Sequence, residues 1–119
     1  MYENITVVSK ERVLELINSS DAVIVNVLGK QAFDENHILN SISMPLNRLE
    51  SDGWKSLPKD KLIITYCHSQ SCNASKRAAS ILKDNGFPNV AAYEGGISEW
   101  VEHGLPTEGS SSKKVEAPS

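Results

Sequence analysis

Apolar positions along the chain recur in two periods, and the changes of period mark the elements. Residues 5–8 alternate and read as a short strand. Ser9 then stands where its hydroxyl can accept from the free first-turn amides of a helix over residues 10–18. Val13, Leu14 and Ile17 share one face of that helix. Residues 22–27 are a near-continuous β-branched run, the pattern of a parallel strand buried on both faces. Residues 31–34 suit one helical turn, residues 41–44 a short strand stopped by Pro45, and residues 46–51 a helix. Residues 61–66 form a second buried strand. The strongest helix spans residues 73–85, with Ala74, Ala78, Ile81 and Leu82 as its inner stripe and Gly86 placed for a left-handed ending. A strand over residues 90–93 and a helix over 97–103 complete the series.

Strands alternating with helices predict an α/β fold with a mainly parallel sheet. In such sheets ligands bind beyond the carboxyl ends of strands, where helices begin. The segment between Tyr66 and Asn73 is such a place, and it holds both cysteines of the chain.

Composition narrows the picture. The 119 residues suit one domain, and with 6% aromatic residues its core must rest on aliphatic side chains. Residues 108–119 carry one large apolar residue, Val115, and are expected to be a disordered tail behind a domain at residues 1–107. A net charge of −3 argues against nucleic acid as a partner, and no apolar run is long enough to span a membrane. The first residues show neither a basic nor an apolar leader region, and two cysteines do not make a disulfide framework. A reducing, cytoplasmic setting is the expectation.

The loop reads Cys67-His68-Ser69-Gln70-Ser71-Cys72-Asn73. A strand-end cysteine often packs as a small hydrophobe. Here it precedes small polar residues and a helix start, a setting in which backbone N–H groups converge and favour a thiolate. The same cradle suits an oxyanion, so Cys67 and Cys72 are the candidate catalytic residues. His68, Ser69, Gln70, Ser71 and Asn73 are the candidate substrate-binding residues.

Five segments in order carry a family resemblance. Tyr66-Cys67, Ala78-Ala79, Leu82 and Gly86-Phe87 resemble the active-site strand, loop and helix of the rhodanese-like sulfurtransferases. Val25-Asn26-Val27 with Phe33 and His37-Ile38, then Ser41–Pro45, then Asp60–Ile63, resemble three further family stretches. Glu94–Trp100 with Gly104-Leu105-Pro106 resembles the closing one. The resemblance covers about residues 5–107 and implies a single rhodanese-like domain, a small five-stranded sheet flanked by helices. It also implies a cysteine that takes the outer sulfur of thiosulfate, expels sulfite, and hands its persulfide sulfur to cyanide or a thiol. No metal or organic cofactor is implied, and the oligomeric state is left open.

The chain departs from the family in its loop, which is about two residues longer and contains the second cysteine, giving Cys-x4-Cys-Asn. Cys67 aligns with the family nucleophile. Cys72 is open to three readings: the reactive thiol itself, a thiol that resolves a persulfide into a disulfide, or a bystander. The family's loop arginine is missing, and His68, Lys76 and Arg77 are the nearby basic residues. Asn26 and Leu28 replace a family Asp and Arg, and Asn26 reads as structural. His37 is expected to brace a turn, Gly95-Gly96 to make a tight turn near the site, and Trp100 to pack in the core.

Three other functions compete with this reading. A phosphatase or arsenate reductase needs Cys-x5-Arg, and neither cysteine has an arginine at that spacing. A structural zinc site wants four ligands, whereas the histidines at 37 and 103 lie far from the cysteines in sequence. A non-catalytic rhodanese-like binding or regulatory module is the third, against which the retained Cys67 and polar loop argue.

Overall fold

The computed structural model describes residues 5–110. Five strands form one sheet: β1 (Thr6–Val7), β2 (Ala22–Asn26), β4 (Ile42–Ser43), β5 (Leu62–Tyr66) and β6 (Val90–Tyr93). Their order is β1-β6-β5-β2-β4 and every pairing is parallel. The α/β architecture expected from the alternating elements is therefore present. The three longest strands, β2, β5 and β6, lie in the middle, where burial on both faces suits their Val, Ile and Ala content.

Strand parity divides the core into two layers, because successive side chains point to opposite faces. Val25, Val27, Ile63, Cys67 and Ala92 meet helices α3 (Leu46–Ser51) and α4 (Ala74–Asp84). Ile24, Ile64, Tyr66, Ala91 and Tyr93 pack instead with Val13 and Ile17 of the α1 region (Lys10–Leu16) and Trp100 of α5 (Gly96–Glu102). Each fully buried aliphatic side chain, such as Leu82, contributes about 1.5–3 kcal/mol.

Local signals hold in most places. Arg12 N donates to Ser9 Oγ at 3.2 Å, so Ser9 caps α1. Gly86 takes φ +91° behind α4. Trp100 is fully buried and donates from Nε1 to Pro106 O at 2.6 Å. Two expected faces are rotated. Leu14 is 39% exposed while Val13 and Ile17 are buried, because a narrow strip of α1 meets the sheet. On α4 the buried residues are Ser75, Ala78, Ala79 and Leu82, with Ala74 and Ile81 at the margins.

The helical turn expected at residues 31–34 is present and runs longer, as α2 over Lys30–Glu35. Two features were not expected. A 3-10 turn spans Gly53–Ser56. Two-residue strands β3 (His37–Ile38) and β7 (Thr107–Glu108) pair antiparallel outside the main sheet. Glu108, assigned to the expected tail, thus pairs with His37. Most of that tail, residues 111–119, lies outside the described residues.

Candidate active site

The carboxyl ends of β2, β5 and β6 lie side by side, with Asn26 in register with Tyr66 and Tyr66 with Tyr93. The loop between β5 and α4 leaves from the middle of this row. Parity sends Cys67 toward α4 and its side chain is fully buried. Thr65, two residues earlier on the same face, donates from Oγ1 to Ser75 O at 2.7 Å and ties the first turn of α4 to the sheet.

The loop backbone is held from both sides. Cys72 N donates to Ser69 O at 3.0 Å, folding the segment back on itself. Ile97 N donates to Cys67 O at 3.0 Å and Ser98 N to His68 O at 2.8 Å, so the start of α5 fastens the loop's first two residues. Gly96 permits this approach. It has φ +69°, and a Cβ there would lie 2.6 Å from Cys67 O and from the His68 carbonyl carbon and oxygen.

The donors divide between the two sulfurs. The Cys67 thiol donates to Cys72 O, with Sγ 3.3 Å away, and more loosely to Ser69 O at 3.9 Å. Burial pushes its pKa up, and the neighbouring Cys72 adds to the rise. The backbone N–H and hydroxyl of Ser75 oppose it. Cys72 is half-buried. Burial works against its thiolate too, yet a hydrogen bond from Cys67 and the backbone N–H groups of Ala74 and His68 outweigh that, and its pKa falls. The pull of the main-chain donors expected at Cys67 is therefore shared: the amides of Ala74 and His68 lower the Cys72 pKa, and the Ser75 amide opposes the rise at Cys67. The reason is the turn at Ser69–Cys72, which carries the second sulfur to the mouth of α4. Neither cysteine is in a disulfide.

The remaining loop residues form the rim. His68, Gln70, Ser71 and Asn73 are exposed, and Ser69 is half-buried with its Oγ 3.0 Å from Ser71 Oγ. Asn73 sits at the N-cap of α4 without a side-chain capping bond. Lys76 is ion-paired with Glu94, and Arg77 with Glu50 at 2.6 Å. The basic residues that flank the loop in sequence are thus already neutralised.

One polar residue of the site escaped the sequence reading. Ser75 is 1% exposed and its Oγ has no hydrogen-bond partner among the described residues, although it lies beside Cys67. An unpaired buried hydroxyl costs roughly 1–3 kcal/mol. The available signal was a serine at helical spacing from Ala78, Ala79 and Leu82 in an apolar stripe.

Neighbouring polar residues are structural. Asn26 donates from Nδ2 to Tyr66 Oη at 3.0 Å and accepts from Leu28 N at 2.8 Å. His37 stacks on Phe33, with ring centroids 3.7 Å apart, and bonds Phe33 O through Nδ1 at 2.6 Å. Among the described residues no cluster of His, Cys, Asp or Glu could hold a metal ion, and no helix is long and apolar enough to cross a membrane.

A parallel sheet with a cysteine loop at the mouth of a helix is the architecture of one class of α/β domain. The family model for the rhodanese-like domain matches residues 9–103, and the chain belongs to that family. It is 34% identical over 105 residues to the uncharacterized protein slr1261 of Synechocystis, covering 87% of this chain and 56% of that protein. It therefore spans little more than half the length of that relative. It is 29% identical over 89 residues to the thiosulfate sulfurtransferase GlpE of Coxiella burnetii, covering 75% of this chain and 80% of the relative. The crystal structure of BH2092 from Bacillus halodurans superposes with a TM-score of 0.80 at 30% identity, covering 89% of this chain and 78% of that one.

Proposed function

We propose that this domain is a sulfurtransferase in which Cys67 carries a sulfane sulfur as a persulfide. The Cys67 thiolate attacks the outer sulfur of a donor such as thiosulfate, sulfite leaves, and the terminal sulfur passes to cyanide or a thiol. The observation that carries this reading is the placement of Cys67. It follows the central strand directly and lies beneath the first turn of α4, with the amide and hydroxyl of Ser75 beside its sulfur. A negative charge on that sulfur is what those donors and the helix N-terminus favour, first as thiolate and then as persulfide anion. The thiosulfate sulfurtransferases among the relatives support the donor class. With Lys76 paired to Glu94 and Arg77 to Glu50, the site is expected to bind thiosulfate weakly.

The test is intact mass after anaerobic mixing with thiosulfate. Cys72→Ser is expected to gain one sulfur, and Cys67→Ser none. Failure of every sulfane donor to add sulfur to either chain would leave a binding module. Hydrolysis of para-nitrophenyl phosphate would point to a phosphatase.

A second reading is favoured by the greater exposure and lowered pKa of Cys72. In it Cys72 takes the sulfur first. It requires Cys67→Ser to keep the mass gain and Cys72→Ser to lose it.

A further inference from the structure

We propose that Cys72 resolves the persulfide carried by Cys67, releasing its outer sulfur as sulfide and closing a Cys67–Cys72 disulfide. The proposal rests on the reading of Cys67 as the persulfide carrier. Its starting point is burial. Cys67 is fully buried, so a bulky outside thiol reaches its sulfur poorly, whereas Cys72 is half-buried and packs on the same core cluster. Cys67 Sγ lies 3.3 Å from the Cys72 carbonyl oxygen. The turn closed by Cys72 N and Ser69 O at 3.0 Å holds the two residues together, so little chain entropy is lost on bridging them. The amides of His68 and Ala74 favour the anionic form of Cys72 that must attack.

The step balances. The Cys72 thiolate attacks Cys67 Sγ, a bond forms between the two Sγ atoms, and the bond from Cys67 Sγ to the terminal sulfur breaks. That sulfur leaves with the bonding pair and its proton as HS⁻. Over uptake and resolution together, the two thiols give up two electrons to become the disulfide, and the sulfane sulfur takes them to become sulfide. An external dithiol, exchanging with the bridge, restores the two thiols. The net reaction reduces thiosulfate to sulfite and sulfide at the expense of that dithiol. The chemistry therefore calls for a partner of the dithiol-reductant class.

The experiment treats the full reduced chain anaerobically with thiosulfate and no added acceptor. It reads free sulfide, intact mass, and thiols open to alkylation. The unsubstituted chain is expected to release sulfide in step with its own concentration, lose the mass of two hydrogens, and resist alkylation at both cysteines. Cys72→Ser and Cys72→Ala are expected to hold the added sulfur and release none. If the unsubstituted chain keeps its sulfur on Cys67, or carries it as a persulfide on Cys72, resolution is overturned while sulfur transfer stands. If neither the unsubstituted chain nor the Cys72 variants take up sulfur, the transferase reading falls and this proposal falls with it.

Discussion

Two adjacent strands end in opposite ways. At the end of β2, Asn26 is closed off: its amide donates to Tyr66 Oη and its oxygen accepts from Leu28 N. Tyr66 Oη also accepts from Ile38 N at 3.0 Å and lies 2.9 Å from Ser41 Oγ. All of these groups have partners. One residue past the end of β5, the polar groups are turned toward sulfur instead. The amides of His68 and Ala74 favour a charge on Cys72, the Ser75 amide favours one on Cys67, and Ser75 Oγ has no hydrogen-bond partner among the described residues. A satisfied network gives rigidity, and an unsatisfied one beside a nucleophile is held ready for a charge that appears during reaction. The tyrosine network is a brace, and the cysteine loop is where the chemistry is proposed.

That contrast breaks most sharply at Tyr66. Tyr66→Phe leaves the Asn26 and Ile38 donors buried without an acceptor, and is expected to cost about 2–4 kcal/mol in urea unfolding. It should leave the pH dependence of thiol alkylation where it was. Gly96→Ala probes the other end. A methyl group at φ +69°, pressed on Cys67 and His68, must push the loop off α5. A displacement of that kind is expected to lower sulfur transfer by about a hundred-fold, measured as thiocyanate formed from thiosulfate and cyanide.

A smaller effect separates the two sulfurs. The thiolate is the form that alkylates, so the lowered pKa of Cys72 enlarges its reactive fraction at neutral pH and the raised pKa of Cys67 shrinks that of Cys67. Iodoacetamide at neutral pH is expected to mark Cys72 first, with Cys67 following only as the pH climbs past the usual thiol range. Peptide mapping across a pH series checks the order, and the reverse order would erase the division of donors. The smallest effect is expected at Ser75. Ser75→Ala removes a hydroxyl that has no hydrogen-bond partner among the described residues, so stability should rise by about 1 kcal/mol. The same change takes away a group that favours the Cys67 thiolate, so the titration of Cys67 should move further up. A marked loss of stability with an unmoved titration would make Ser75 part of the brace.

What the chain determines by itself is the order and type of its main elements. Runs such as residues 22–27 and 61–66 cannot bury their branched side chains except as central parallel strands, and Ser9 and Gly86 mark helix ends through their own backbone chemistry. The cysteine loop was legible for the same reason, since small polar residues between a buried strand and a helix have few other arrangements. The ribbon of β3 and β7 was not, because two-residue strands carry no period and their partners lie about seventy residues apart. Nor was the side of the sheet on which each sulfur would find its donors. That depended on the parity of β5, on the Ser69–Cys72 turn, and on how far α4 rotates to bury Ser75 in place of Ala74. These are contacts between distant segments, and only packing all of them at once decides which thiol is buried and which is left half in water.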